Sequence, residues 1–205
     1  MKRNFRLAGL CAGLLVAATL GGCAAVVVGS AVGTALVVTD RRTAGTQLED
    51  QNIELKALTR VRESVGDRGH VNTTSYNRLV LLTGEVQTDT DRSAVEQAVG
   101  RIENVRSIVN ELGVMGASSL TSRSNDTILT SKVKASLIDA KDLQAGAIKV
   151  VTERAVVYLM GRVTEREANR ATDLARGVPG VQKVVKVFEN LTEAELATLG
   201  TETKK

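Results

Sequence analysis

One pattern is written twice in this chain. Leu79-Val80-Leu81-Leu82-Thr83-Gly84-Glu85-Val86 matches Val156-Val157-Tyr158-Leu159-Met160-Gly161-Arg162-Val163, and Val71-Asn72-Thr73-Thr74 matches Ile148-Lys149-Val150-Val151, always 77 residues apart. A chain that repeats itself folds as two like units, so the repeat sets the architecture before composition does. The matched runs read as strands joined by turns at Ser75-Tyr76-Asn77-Arg78 and Glu153-Arg154. A polar helical segment follows each hairpin (residues 88–101 and 164–176), then a β-branched strand (residues 105–109 and 181–187). Each unit opens with a helix: Ala57, Val61, Ser64 and Val65 share one face in the first, and Leu129, Val133, Ser136, Leu137 and Ala140 do so in the second. Ser124-Asn125-Asp126 supplies N-cap candidates for the second opening helix.

The order per unit is helix, strand, strand, helix, strand, an α+β fold. Adjacent strands pair as a hairpin, and the second helix crosses over to a parallel third strand, giving a small three-stranded mixed sheet packed on two helices. Gly84 and Gly161 end the central runs, where a close backbone approach or bulge excludes a side chain. Units of roughly 65 residues stand near the lower limit for independent stability, so the two are expected to pack on each other. The spans read as 47–112 for the first unit, 113–123 for a small and polar linker, 124–190 for the second unit, and 191–205 for a polar tail.

Ahead of the repeat, Lys2, Arg3 and Arg6 precede an uncharged run from Leu7 to Leu20, and Leu20-Gly21-Gly22-Cys23 follows. A charged n-region, a short apolar h-region and a small-residue cleavage site make residues 1–22 a signal peptide. An uncleaved span would have to run from Leu7 through Val38 across many glycines. The Leu-Gly-Gly-Cys string resembles the lipobox of bacterial lipoproteins. That resemblance implies cleavage before Cys23, a diacylglycerol on its sulfur and an acyl group on its new amine. Residues 23–46 then form a lipidated apolar tether closed by Asp40-Arg41-Arg42.

Cleavage removes three basic residues and lowers the net charge from +4 to +1, so the alkaline isoelectric point says little about nucleic acid, which is not an expected partner. Cys11 leaves with the signal peptide and Cys23 is consumed by lipid, so no thiol remains for a disulfide, metal or nucleophile. With two Tyr, two Phe and no Trp, stacking platforms are scarce. His70, the lone histidine, reads as a solvated turn residue ahead of a strand. Carboxylates are spread over amphipathic helices, and neither a phosphate loop nor a metal-spaced ligand set is present. The reading is of a protein that is not an enzyme and carries no cofactor.

The two units differ in charge: residues 47–112 hold eight basic and eleven acidic side chains, and residues 124–190 hold eleven and eight. Near an anionic leaflet each Lys or Arg contributes about 1 kcal/mol, which places the second unit against phospholipid. On its opening helix Ile128 and Ile138 lie away from the face of Leu129, Val133 and Leu137, with Lys132 and Lys134 on the flanks. Such residues either pack on the other unit or on the linker, or insert between headgroups.

The hairpin ending in Gly, followed by the helix start Thr164-Glu165-Arg166-Glu167-Ala168, resembles the BON domain. Two such units behind a lipobox, with Gly45-Thr46-Gln47, Ser124-Asn125-Asp126-Thr127 and Val157-Tyr158-Leu159-Met160-Gly161, resemble the dual-BON outer-membrane lipoproteins as far as Leu191. The resemblance implies an outer-membrane lipoprotein facing the periplasm. It implies binding of anionic phospholipids, phosphatidylglycerol and cardiolipin, at the helix of Ile128, Lys132, Lys134 and Ile138, and a part in envelope integrity at the division site. Family members can carry an aromatic where this chain has Ile128, so one interfacial anchor is missing here. The alternative is a periplasmic scaffold whose acidic first unit or sheet edges dock the outer-membrane protein assembly machinery.

Overall fold

The computed structural model describes residues 40–202; Cys23, the signal peptide and most of the tether lie outside them. The first unit runs α1 (Ala44–Val65), a 3-10 turn, β1 (Gly69–Tyr76), β2 (Leu79–Val86), α2 (Asp89–Gly100), β3 (Ser107–Asn110) and β4 (Gly113–Val114). The second runs α3 (Leu120–Asp139), a 3-10 turn, β5 (Ile148–Glu153), β6 (Val156–Thr164), α4 (Glu165–Arg176) and β7 (Lys183–Leu191), followed by α5 (Glu193–Glu202). The central strand of each sheet pairs antiparallel with its hairpin partner and parallel with the strand after the crossover helix, so both sheets are mixed as the pattern predicts.

Three details depart from the sequence reading. The third strand of the first sheet is broken: β3 and β4 both lie along β2, and the break turns Leu112 into the core. The segment read as a linker is structured. Its first residues form β4, the buried Glu85 accepts a hydrogen bond from the Ser118 N–H at 3.1 Å, and α3 begins at Leu120. The N-cap is therefore Ser119, whose side chain accepts from the Ser122 N–H, and not the Ser124-Asn125-Asp126 triplet. The tail likewise carries α5.

Each sheet is covered on both faces. Val80, Leu82 and Val86 of β2 join Ile53, Ala57 and Val61 of α1 and Val95 and Val99 of α2 in one core. Val157, Leu159 and Val163 of β6 join Val133 and Leu137 of α3 and Ala168, Ala171 and Ala175 of α4 in a second. The alternate residues form a third core between the sheets, where Tyr76 and Leu81 meet Tyr158, Met160 and Val187. Helices thus cover one face of each sheet and the partner unit covers the other, in line with the expectation that the two units pack on each other. Residues 80–86 of β2 are all buried, as strands covered on both sides require.

Both hairpins turn on two residues of positive φ, Asn77-Arg78 and Arg154-Ala155. That geometry suits the twist of a hairpin but is unfavourable for Arg and Ala. The opening helix of each unit compensates with a buried carboxylate. Asp50 accepts from the N–H groups of Asn77 and Arg78 at 2.8 and 2.7 Å, and Asp126 accepts from those of Arg154 and Ala155, both at 2.8 Å. Gly84 and Gly161 answer the predicted close approach. A Cβ on Gly84 would stand 2.0 Å from the His70 carbonyl oxygen, and one on Gly161 would stand 2.4 Å from that of Ala147.

The end of the tether is clamped to both units. Arg41, 6% exposed, donates to both Glu167 carboxylate oxygens at 2.7 and 2.8 Å and to the Arg162 carbonyl. Arg42 bridges Asp40 and Asp50 and lies 4.1 Å over the Tyr76 ring.

Candidate functional site

The candidate surface is the outer face of α3. The helix is seated by Leu129, Val133 and Leu137, all buried, and by Asp126 gripping the β5–β6 turn. Thr130 adds a 2.8 Å hydrogen bond to Thr152 of β5. The loop after α4 closes over Leu129 at Gly180, where φ is 103° and a Cβ would sit 2.9 Å from Leu129 Cδ2. With one face fixed at so many points, the opposite face is fixed as well.

Ile128 and Ile138 are 53% and 63% exposed, so they do not pack on the first unit. At about 100° per residue they straddle the direction opposite the buried stripe, roughly 15 Å apart along the axis. Lys132 and Lys134 are exposed on the two flanks of this pair, and neither has an ion-pair partner among the described residues. From Leu120 to Ile138 the only acid is Asp126, and it is turned inward. The outer stripe therefore consists of Ser124, Thr127, Ile128, Ser131, Ala135 and Ile138, with no charge on it. A groove of about 520 Å³ opens beside Ile128 and Lys132, bounded across from them by Arg154, Pro179 and Gln182. The surface offers two apolar side chains at depth, two ammonium groups at the rim and a groove at one end.

Leu120, 79% exposed, belongs to the same stripe. It precedes Ile138 by 18 residues, five full turns, and so shares its azimuth. Reading residues 113–123 as a linker hid it. The matching helix of the first unit differs: α1 exposes Leu48, Leu55 and Leu58 but carries Glu49, Glu54 and Glu63 as well as Asp50. His70 is not a turn residue. It lies in β1, half-buried, directly across from Glu85 of β2. Cys23 lies outside the described residues.

The family model described as BON domain matches residues 49–116 and again 125–190. The chain is 39% identical to the outer membrane lipoprotein DolP of Haemophilus influenzae, over 87% of this chain and 94% of the relative. It is 30% identical to a 21 kDa hemolysin of Actinobacillus pleuropneumoniae, over 73% of this chain and 78% of that one. It is 27% identical to the osmotically-inducible protein Y of Escherichia coli K12, over 68% and 72%.

Proposed function

We propose, for a chain that belongs to the BON-domain family and carries two copies of its unit, the role of a non-enzymatic outer-membrane lipoprotein that recognises anionic phospholipid. Acyl chains on Cys23 hold it on the membrane, facing the periplasm. The outer face of α3 then reads the headgroups around it, favouring phosphatidylglycerol and cardiolipin, and gathers the protein where such lipids are enriched, as at a division site. The observation that carries this reading is the pair of exposed isoleucines, Ile128 and Ile138, on a stripe free of acids, flanked by Lys132 and Lys134, which have no ion-pair partner among the described residues. Apolar side chains inserted at the level of the headgroups, with cations beside them, are what an interfacial helix needs. Kinship to an outer-membrane lipoprotein supports the location.

The test is a residue-by-residue NMR titration of the unlipidated chain with phosphatidylglycerol micelles and, separately, zwitterionic ones. Shifts and broadening confined to residues 120–138 and the neighbouring loop at Pro179 are expected, with the anionic micelle alone. Perturbation centred on α1, or none with either micelle, defeats the reading.

A further inference from the structure

The junction of the two units holds a second constellation, independent of the lipid-facing helix. His70 and Glu85 are cross-strand partners on β1 and β2, and both project from the sheet face that meets the second unit. Glu153, the last residue of β5, approaches from that second unit. One ligand atom from each of the three lies within 4.8 Å of the others. The two carboxylate-bearing residues are 1% and 7% exposed.

The polar groups of this cluster are incompletely satisfied. His70 Nδ1 is buried without a hydrogen-bond partner among the described residues, and it stands 3.7 Å from Glu85 Oε2, beyond hydrogen-bonding distance. Glu85 accepts from the Ser118 N–H and pairs with Arg154 Nη1 at 3.1 Å. Glu153 accepts from Asn72 Nδ2 at 2.9 Å. One Arg154 contact, the Ser118 N–H and one Asn72 amide serve the two buried carboxylates, and the imidazole nitrogen beside them is orphaned among the described residues, which leaves donor capacity for a further cation.

We propose that His70 Nδ1, Glu85 and Glu153 form a zinc-type divalent-metal site that staples the two units together. One imidazole nitrogen and two carboxylate oxygens are a donor set that zinc accepts, with water in a fourth position. Calcium and magnesium favour shells built of oxygen alone. Donors around a tetrahedral zinc stand about 3.3 Å apart, close to the 3.7 Å between His70 Nδ1 and Glu85 Oε2, so the three side chains, all within 4.8 Å of one another, need only draw together modestly when the metal enters. The carboxylates supply two negative charges, and the partly exposed edge of His70 gives the ion its way in. Because the ligands come from both units, the metal stabilises the junction as well as occupying it.

The experiment uses the full chain, untagged, purified in detergent and stripped with a chelator, and zinc chloride alone as the probe. His70 is the only histidine, so the imidazole 15N spectrum reports this site and no other. One zinc per chain is expected, with Nδ1 moving to a metal-bound shift and a rise in melting temperature. His70→Gln and Glu153→Gln should each weaken zinc at least about tenfold, the lower end of what loss of a mere outer-shell partner commonly costs. An imidazole spectrum unmoved by zinc overturns the site without recourse to any variant, as does equal affinity in the wild type and both variants. A His70 that titrates with pH but ignores zinc overturns it too, leaving an ion pair in its place.

Discussion

Ile128→Glu is the sharpest test of the proposed lipid-binding face of α3, because its effect can be built from separate terms. Full burial of an isoleucine is worth about 1.5–3 kcal/mol, and with 53% of Ile128 exposed roughly half of that is still to be gained by insertion. A carboxylate facing an anionic surface costs about 1 kcal/mol more. It also stands four residues before Lys132, the favourable order for a helical ion pair, and so removes part of a cation from the headgroups. The total approaches about 3 kcal/mol, a weakening on the order of 100-fold. Ile128→Ser isolates the apolar part and should cost about tenfold. Neither change touches the core, so the circular dichroism spectrum and the urea midpoint should stay within about 0.5 kcal/mol of wild type. Co-sedimentation with phosphatidylglycerol vesicles, on a chain starting beyond Cys23 so that the anchor does not mask the result, reads the difference. If Ile128→Glu binds as the parent does while remaining folded, the assignment of this face is wrong.

Two further outcomes follow from the buried carboxylates. Asp50 accepts from Ser75 Oγ, two turn N–H groups and Arg42, whereas Asp126 accepts from two turn N–H groups alone. Asp50→Ala should therefore cost about 3–5 kcal/mol in urea unfolding and Asp126→Ala about 2–3 kcal/mol; the reverse order would refute the clamp. The Arg41 guanidinium holds the Glu167 carboxyl below its ordinary range, against the opposing effect of burial. Stability from a depressed carboxylate is present above its unfolded pKa, about 4.3, and is lost as pH falls through the folded one. Glu167→Gln should cost about 3 kcal/mol at pH 7, and its gap from wild type in parallel urea titrations should narrow below pH 4.

The sequence carried the element order because periodicity and the 77-residue repeat are local signals. It also carried the second burying face, in a form easily passed over. Leu79-Val80-Leu81-Leu82 is a continuous apolar run rather than an alternating one, the mark of a strand covered on both sides. Tyr158, within the matching run of β6, pointed the same way, as it meets Tyr76 in the core between the sheets. Ile128 and Ile138 were legible because a helical wheel separates them from a well-marked buried face. The roles of Asp50, Asp126 and Arg41 were not legible. Each depends on a partner brought close by tertiary structure: a turn some 28 residues on for the two aspartates, and Glu167, 126 residues away, for Arg41. His70 failed for the same reason, since its partners lie on another strand and in another unit.

The charge difference between the units takes on another meaning once the pairs are placed. Lys149 of the second unit bonds Glu54 of the first, and Arg154 bonds Glu85. In the opposite direction Arg106 of the first unit and Arg162 of the second share Glu189. Part of the basic surplus of the second unit thus faces the acidic surplus of the first and is spent on the junction rather than on a membrane. A whole-unit count overstates the field available to a headgroup, because a cation held 3 Å from a carboxylate contributes little at a distance. Lys132 and Lys134 have no such partner among the described residues and sit beside the exposed isoleucines, so the proposed lipid selection would rest on these few residues of α3. Reversing Lys149 should loosen the two units; reversing Lys132 should leave them joined and, on the proposed reading, weaken binding to phosphatidylglycerol vesicles.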